Sequence, residues 1–141
     1  MVLVASPNPG LRRRCRAALR GTSALQEVTT RAALERSMAS LKPTILLLDL
    51  ALPNLGGVGG IRAIQRLSPP TKIVLLTGTP DEKEGISALK AGARGYCNTD
   101  IDAALLKKAV EMVRKGEIWA GRNLIPPVSY THLTLPTTPY V

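Results

Sequence analysis

Between Pro43 and Pro53 lie four consecutive apolar residues and then a carboxylate, Ile45-Leu46-Leu47-Leu48-Asp49. A run this short makes no free-standing helix, and its unbroken apolarity leaves no face for water. It reads as a strand covered on both sides, as in the middle of a parallel sheet. Asp49 then arrives at the carboxyl end of a central strand, the rim where open α/β folds carry their chemistry. The plainer alternative is that Asp49 only caps the turn that follows, a common use of Asp.

The flanking sequence alternates in kind. Val2 to Ala5 is a short apolar run broken by Ser6-Pro7-Asn8-Pro9-Gly10. From Leu11, the residues Leu11, Cys15, Ala18 and Leu19 recur at helical spacing up to Gly21, with Arg12, Arg16 and Arg20 one turn apart on another face. Such a stripe is a solvated face more often than a phosphate-contacting one. Leu25 to Thr29 predicts a short strand, and Thr30 caps a helix carrying Ala32, Ala33, Leu34, Met38 and Leu41. After the central strand, Val58, Ile61, Ile64 and Leu67 define a third helix, loosened at its first turn by Gly59 and Gly60 and ended by Ser68-Pro69-Pro70.

Lys72 to Thr77 is another buried strand. Asp81, Glu82 and Glu84 open a helix that runs to Ala91 and stops at Gly92. Gly95-Tyr96-Cys97 is a short strand, and Asp100 is expected to cap a last helix with Ile101, Ala104, Leu105, Ala109, Met112 and Val113 inward. Five strand–helix units with short connections predict an α/β, flavodoxin-like (βα)5 three-layer sandwich with parallel sheet order 2-1-3-4-5. That order brings Ser6-Pro7, Asp49 and Thr77 to one edge.

Composition narrows the function. With 141 residues and 45% hydrophobic content the chain reads as one domain able to bury a core. No run approaches the ~20 apolar residues of a membrane span, and no signal peptide is legible. Cys15 and Cys97 are isolated and read as core residues in a reducing cytoplasm, and the single His132 has no co-ligands nearby. A net charge of +9 favours anionic partners, while 3% aromatics argue against base stacking on single strands. Gly56-Gly57-Val58-Gly59-Gly60 is not a nucleotide loop, because Arg62 stands where the last Gly of Gly-x-Gly-x-x-Gly would fall and no Gly-Lys-Ser/Thr follows. No Ser or Cys sits beside a His/Asp pair, and a flavin carrier finds no binding loop.

Leu47-Leu48-Asp49-Leu50-Ala51-Leu52-Pro53 with Gly57, Val74-Leu75-Leu76-Thr77, and Ala91-Gly92-Ala93-Arg94-Gly95-Tyr96 together resemble the receiver domain of bacterial response regulators. Val110 to Leu124 further resembles the end of receivers that precede a LuxR-type helix-turn-helix domain. The resemblance implies that Asp49 accepts a phosphoryl group from a sensor histidine kinase. It implies that Thr77 and Tyr96 report the event by shifting inward, reshaping the helix four–strand five–helix five face through which a receiver pairs with its own kind or another. It also implies Mg²⁺ held by an acidic pair after strand one, and a Lys after strand five that meets the phosphoryl oxygens.

Here Ser6 and Pro7 occupy the acidic-pair positions and Thr99 the Lys position, and the first acid in the chain is Glu27. Asp49 alone remains as a metal carboxylate, so Mg²⁺ binding is expected to be weak or absent. One lost charge-assisted contact of this kind costs about 2–4 kcal/mol in a transition state. Two readings follow. Either Asp49 is still phosphorylated, with Asn8, Thr99 or another cation filling the gap, or the domain is a pseudo-receiver, an interaction module indifferent to phosphate. Neither is an enzyme.

The domain is expected over residues 1–116, followed by the start of an interdomain linker over 117–127. Residues 128–141 have no charge and no helical period, and Val128 to Thr138 resembles the translated frame of a transposon-type sequencing adapter. They are expected to be non-native, which would make the chain a fragment whose DNA-reading output domain is missing.

Overall fold

In a computed structural model, which describes residues 1–21 and 24–120, five parallel strands form one sheet in the order β2-β1-β3-β4-β5. The strands are β1 (Val2–Ala5), β2 (Leu25–Val28), β3 (Ile45–Asp49), β4 (Lys72–Thr77) and β5 (Gly95–Asn98). The helices are α1 (Pro9–Leu19), α2 (Arg31–Leu41), α3 (Ile61–Leu67), α4 (Glu82–Lys90) and α5 (Ala103–Arg114). The expected flavodoxin-like order is the observed one. His132, the adapter-like run and the linker beyond residue 120 lie outside the described residues.

Alternation along the strands sorts the core into two layers, because successive side chains leave a sheet on opposite faces. Val2, Val4, Ile45, Leu47, Val74 and Leu76 meet Leu11 and Cys15 of α1 and Leu106 and Val110 of α5. Leu3, Leu46, Leu48, Ile73 and Leu75 meet Leu34 and Met38 of α2 and Ile61 and Ile64 of α3. All five residues of β3 are buried, as the uninterrupted run requires. Burial pushes the thiols of Cys15 and Cys97 up to about 12, leaving both as inert core residues.

Local chemistry moves several boundaries. Helix α1 starts at Pro9, two residues before its apolar stripe, since the Asn8 side chain caps it by accepting from the amides of Gly10 and Leu11. Asp102, not Asp100, stands at the N-cap position of helix α5, without a side-chain capping bond, and the helix's buried stripe is Leu106, Ala109, Val110 and Val113. Leu105 is 46% exposed, and Leu41 at the end of α2 is 45% exposed. In α5 two overlapping apolar stripes compete, and the i, i+3, i+4, i+7 set from Leu106 is the one that fits the sheet. Past α5 the chain turns back: Tyr96 N–H donates to Trp119 O and Trp119 N–H to Arg94 O, so Trp119 bridges the open edge of β5. The start of the expected linker is thus joined to the domain.

The loose turn expected before α3 is a 3₁₀ turn over Gly57–Gly60. Its two inner glycines differ. A Cβ on Gly60 would lie 1.9 Å from the Leu55 carbonyl oxygen, whereas one on Gly59 would meet nothing within 4 Å. Gly60→Ala is expected to destabilise the domain by about 2 kcal/mol or more through a backbone clash. Gly59→Ala is expected to be neutral or to stabilise by up to about 1 kcal/mol. Urea denaturation of both variants checks the contrast.

Candidate functional site

Parallel register brings the strand ends together. Ala5 pairs with Leu48, Asp49 with Leu76, and Thr77 with Asn98, so the residues following β1, β3, β4 and β5 share one rim. Asp49 stands at its centre, 3% exposed. Its Oδ1 accepts from the amide of Ala51 at 2.9 Å, which is the turn-capping role considered from sequence. Its Oδ2 accepts from the Ser6 hydroxyl at 2.7 Å. The Ser6 oxygen in turn accepts from the Asn8 amide at 3.0 Å, and Ser6 is fully buried. A neutral donor therefore touches the carboxylate from the first acidic-pair position. Pro7, at the second, is exposed on the loop.

The remaining expected residues divide. Thr77 is buried and its hydroxyl oxygen accepts from the Thr79 amide at 3.2 Å, directed along the loop that leads into α4. Thr99 follows on through its amide, which donates to Thr77 O at 2.9 Å. Tyr96 reaches a different place. Its ring is 5% exposed, and its hydroxyl donates to Glu84 Oε1 at 2.6 Å while accepting from the Asp81 amide at 3.0 Å. Burial first, and the hydrogen bond to Glu84 second, push its phenol up to about 12. Tyr96 is thus buried in the core with its hydroxyl at the start of α4.

The vacancy at Thr99 is not without a cation. Arg14 of α1 donates from Nη1 to the Thr99 carbonyl oxygen. Arg14 lies outside the residues expected at the site, although a signal for it exists: it falls one turn from Leu11 and from Ala18, beside the apolar stripe, where a charge needs a reason. Of the arginine stripe, Arg12 and Arg16 are otherwise engaged. Arg12 donates to the Ser6 carbonyl at 2.8 Å, and Arg12 and Arg16 both pair with Glu27, at 3.3 and 2.7 Å. Glu27 on the edge strand is thereby neutralised in place.

Magnesium does not fit these donors. It asks for near-octahedral oxygen ligation with one or two carboxylates besides the phosphoryl group. Among the described residues there is no group of three or more His, Cys, Asp and Glu side chains that could hold a metal ion. Asp49, at the centre of the rim, already accepts one hydrogen bond on each carboxylate oxygen.

Comparison with known proteins agrees with this architecture. Residues 2–111 match the family model of the response regulator receiver domain. The chain is 33% identical over 98 residues to the uncharacterized transcriptional regulatory protein YhcZ of Bacillus subtilis, covering 70% of this chain and 45% of that one. The chain thus spans less than half the length of such curated relatives. The receiver domain of the response regulator NarL from Mycobacterium tuberculosis superposes with a TM-score of 0.74 at 25% identity, covering 82% of this chain and 96% of that one. A LuxR-family two-component response regulator from Aurantimonas shares the fold with a TM-score of 0.76 at 23% identity, covering 87% and 90%. Sheet order, rim geometry and the match over residues 2–111 lead to one conclusion: the chain belongs to the response regulator receiver domain family.

Proposed function

We propose that this receiver is a pseudo-receiver: a signalling module upstream of transcription that works through protein contacts, in a conformation set without phosphate on Asp49. The observation that carries this reading is the Ser6 hydroxyl on Asp49 Oδ2. Phosphoryl transfer to a carboxylate needs cations on the developing oxygens. At this rim a neutral hydroxyl replaces an acid that would recruit a metal. Tyr96 already lies inward.

The partners follow from the family and are part of the same proposal. They are a sensor histidine kinase, a receiver of its own or another kind bound through the α4–β5–α5 face, and DNA through an output domain beyond this chain. Cytoplasmic residence belongs with them. Among the described residues no helix is long and apolar enough to cross a membrane.

A second reading, in which Asp49 remains a phosphoacceptor, draws on Arg14, whose guanidinium stands at the loop where the Lys is missing. Its bonded partner is a main-chain carbonyl, and no ion pair joins it to Asp49 among the described residues.

Incubation with a small phosphodonor, or with beryllofluoride and Mg²⁺, is expected to leave the intact mass and the amide NMR spectrum unchanged; a tight Mg²⁺-dependent adduct at Asp49 would refute the proposal. Independently, Ser6→Ala is expected to cost about 1–3 kcal/mol in urea denaturation, because a buried carboxylate oxygen and the Asn8 amide both lose a partner. A cost within experimental error would show that Ser6 does not hold Asp49.

A further inference from the structure

Helix α4 opens with Asp81 at the cap position and Glu84 three residues on. The Asp81 Oδ2 accepts from the Glu84 amide at 3.0 Å. That is half of a capping box, whose other half would be the Glu84 carboxylate accepting directly from the Asp81 amide. The second half is interrupted. The Tyr96 hydroxyl of β5 sits between the two, taking the Asp81 amide at 3.0 Å and donating to Glu84 Oε1 at 2.6 Å. Three hydrogen bonds thus close a ring: Asp81 carboxylate to Glu84 amide, Glu84 carboxylate to Tyr96 hydroxyl, and Tyr96 hydroxyl to Asp81 amide.

We propose that Glu84 is a positioning residue, and that the cap of α4 is a two-state receptor for the Tyr96 hydroxyl. With the hydroxyl inserted, the ring is held in the core and α4 is tied to β5. With the ring turned out, the same Glu84 carboxylate can close directly on the Asp81 amide, and the helix stays capped. The Asp81 and Glu84 amides keep an acceptor in either arrangement, and each arrangement offers the Glu84 carboxylate one hydrogen bond. The balance is set by the Tyr96–Glu84 bond and by burial of the ring in the core cluster that also holds Leu75 and Ala88. Neither depends on Asp49. The inference deepens the pseudo-receiver reading and rests on it only for that last independence.

The test compares the intact chain with its Glu84→Gln, Glu84→Ala and Tyr96→Phe variants. Tyrosine Cζ resonances are followed by NMR as the pH is raised to 11, and Tyr96 is recognised by its loss in Tyr96→Phe. In the unaltered protein Tyr96 is expected to remain protonated throughout, in line with a phenol raised to about 12. In Glu84→Gln its titration is expected to fall by about one pH unit, the change from a charged to a neutral acceptor. Glu84→Ala is expected to lower it further, although burial still holds it above an ordinary phenol.

Amide exchange at Asp81 gives a second readout. In Tyr96→Phe the amide is expected to keep its protection, because the box closes on itself, and in Glu84→Ala to exchange faster. An unchanged Tyr96 titration in Glu84→Ala, or loss of Asp81 protection in Tyr96→Phe, would overturn the proposal. Adding beryllofluoride and Mg²⁺ to the unaltered protein separates the two ideas. A moved Tyr96 resonance would sink the phosphate-independent reading and leave the cap mechanism intact.

Discussion

A hydroxyl of Ser6 donating to a carboxylate oxygen of Asp49 is the contact on which the rim depends. A buried carboxylate is tolerable only when its oxygens are satisfied, and here two short bonds, one from a side chain and one from the Ala51 amide, do it. On the proposed reading, the same arrangement removes the reason for a cation. Two further acids beside Asp49 would repel it and one another, and such a cluster draws in a divalent ion. One acid with two donors is already stable without it. On the proposed reading, serine in place of an acid makes the site a closed hydrogen-bonded turn in place of an incomplete coordination sphere.

The rest of the fold follows from keeping that turn at the tip of a dry strand. β3 is flanked by β1 and β4 and covered on both faces, so Asp49 can be reached only from the end. What surrounds the end has been rebuilt around neutral or main-chain partners. Arg12 holds the Ser6 carbonyl, Arg14 holds the Thr99 carbonyl, and Glu27 is consumed by two arginines. The guanidiniums at the rim thus act as anchors for loops. Their many N–H groups suit them to gripping carbonyls in fixed geometry, a task the single ammonium of a Lys performs less well.

Much of this was legible beforehand. The sheet order followed from strand–helix alternation, and the convergence of Ser6, Asp49 and Thr77 followed from the sheet order. Periodicity was least reliable where two apolar stripes overlapped, as in α5. There Ala109 and Val113 are buried as expected, but Leu106 and Val110 face inward in place of Leu105 and Met112, since Leu105 and Leu106 are alike and only packing tells them apart. Side-chain reach was not legible at all. That Arg14 would cross from α1 to the β5–α5 loop depends on the packing of the two helices, which no local pattern contains. Nor did the Asp81–Glu84 spacing announce that a tyrosine twelve residues on would enter the box.

That last contact shows how a receiver fold could lose its phosphate chemistry and keep a defined surface. In a switch driven by phosphate, the favourable inward state of the aromatic ring has to be conditional, so something must hold it out or leave it undecided beforehand. Here burial and a carboxylate–phenol bond both act in the same direction without any charge arriving at Asp49. Because the Glu84 carboxylate accepts one hydrogen bond in either arrangement, the bias comes from the difference between phenol and amide as its donor and from burial of the Tyr96 ring. The face formed by α4, β5 and α5 would then be presented continuously, and its control would pass to whatever competes for Glu84 or for the Tyr96 ring.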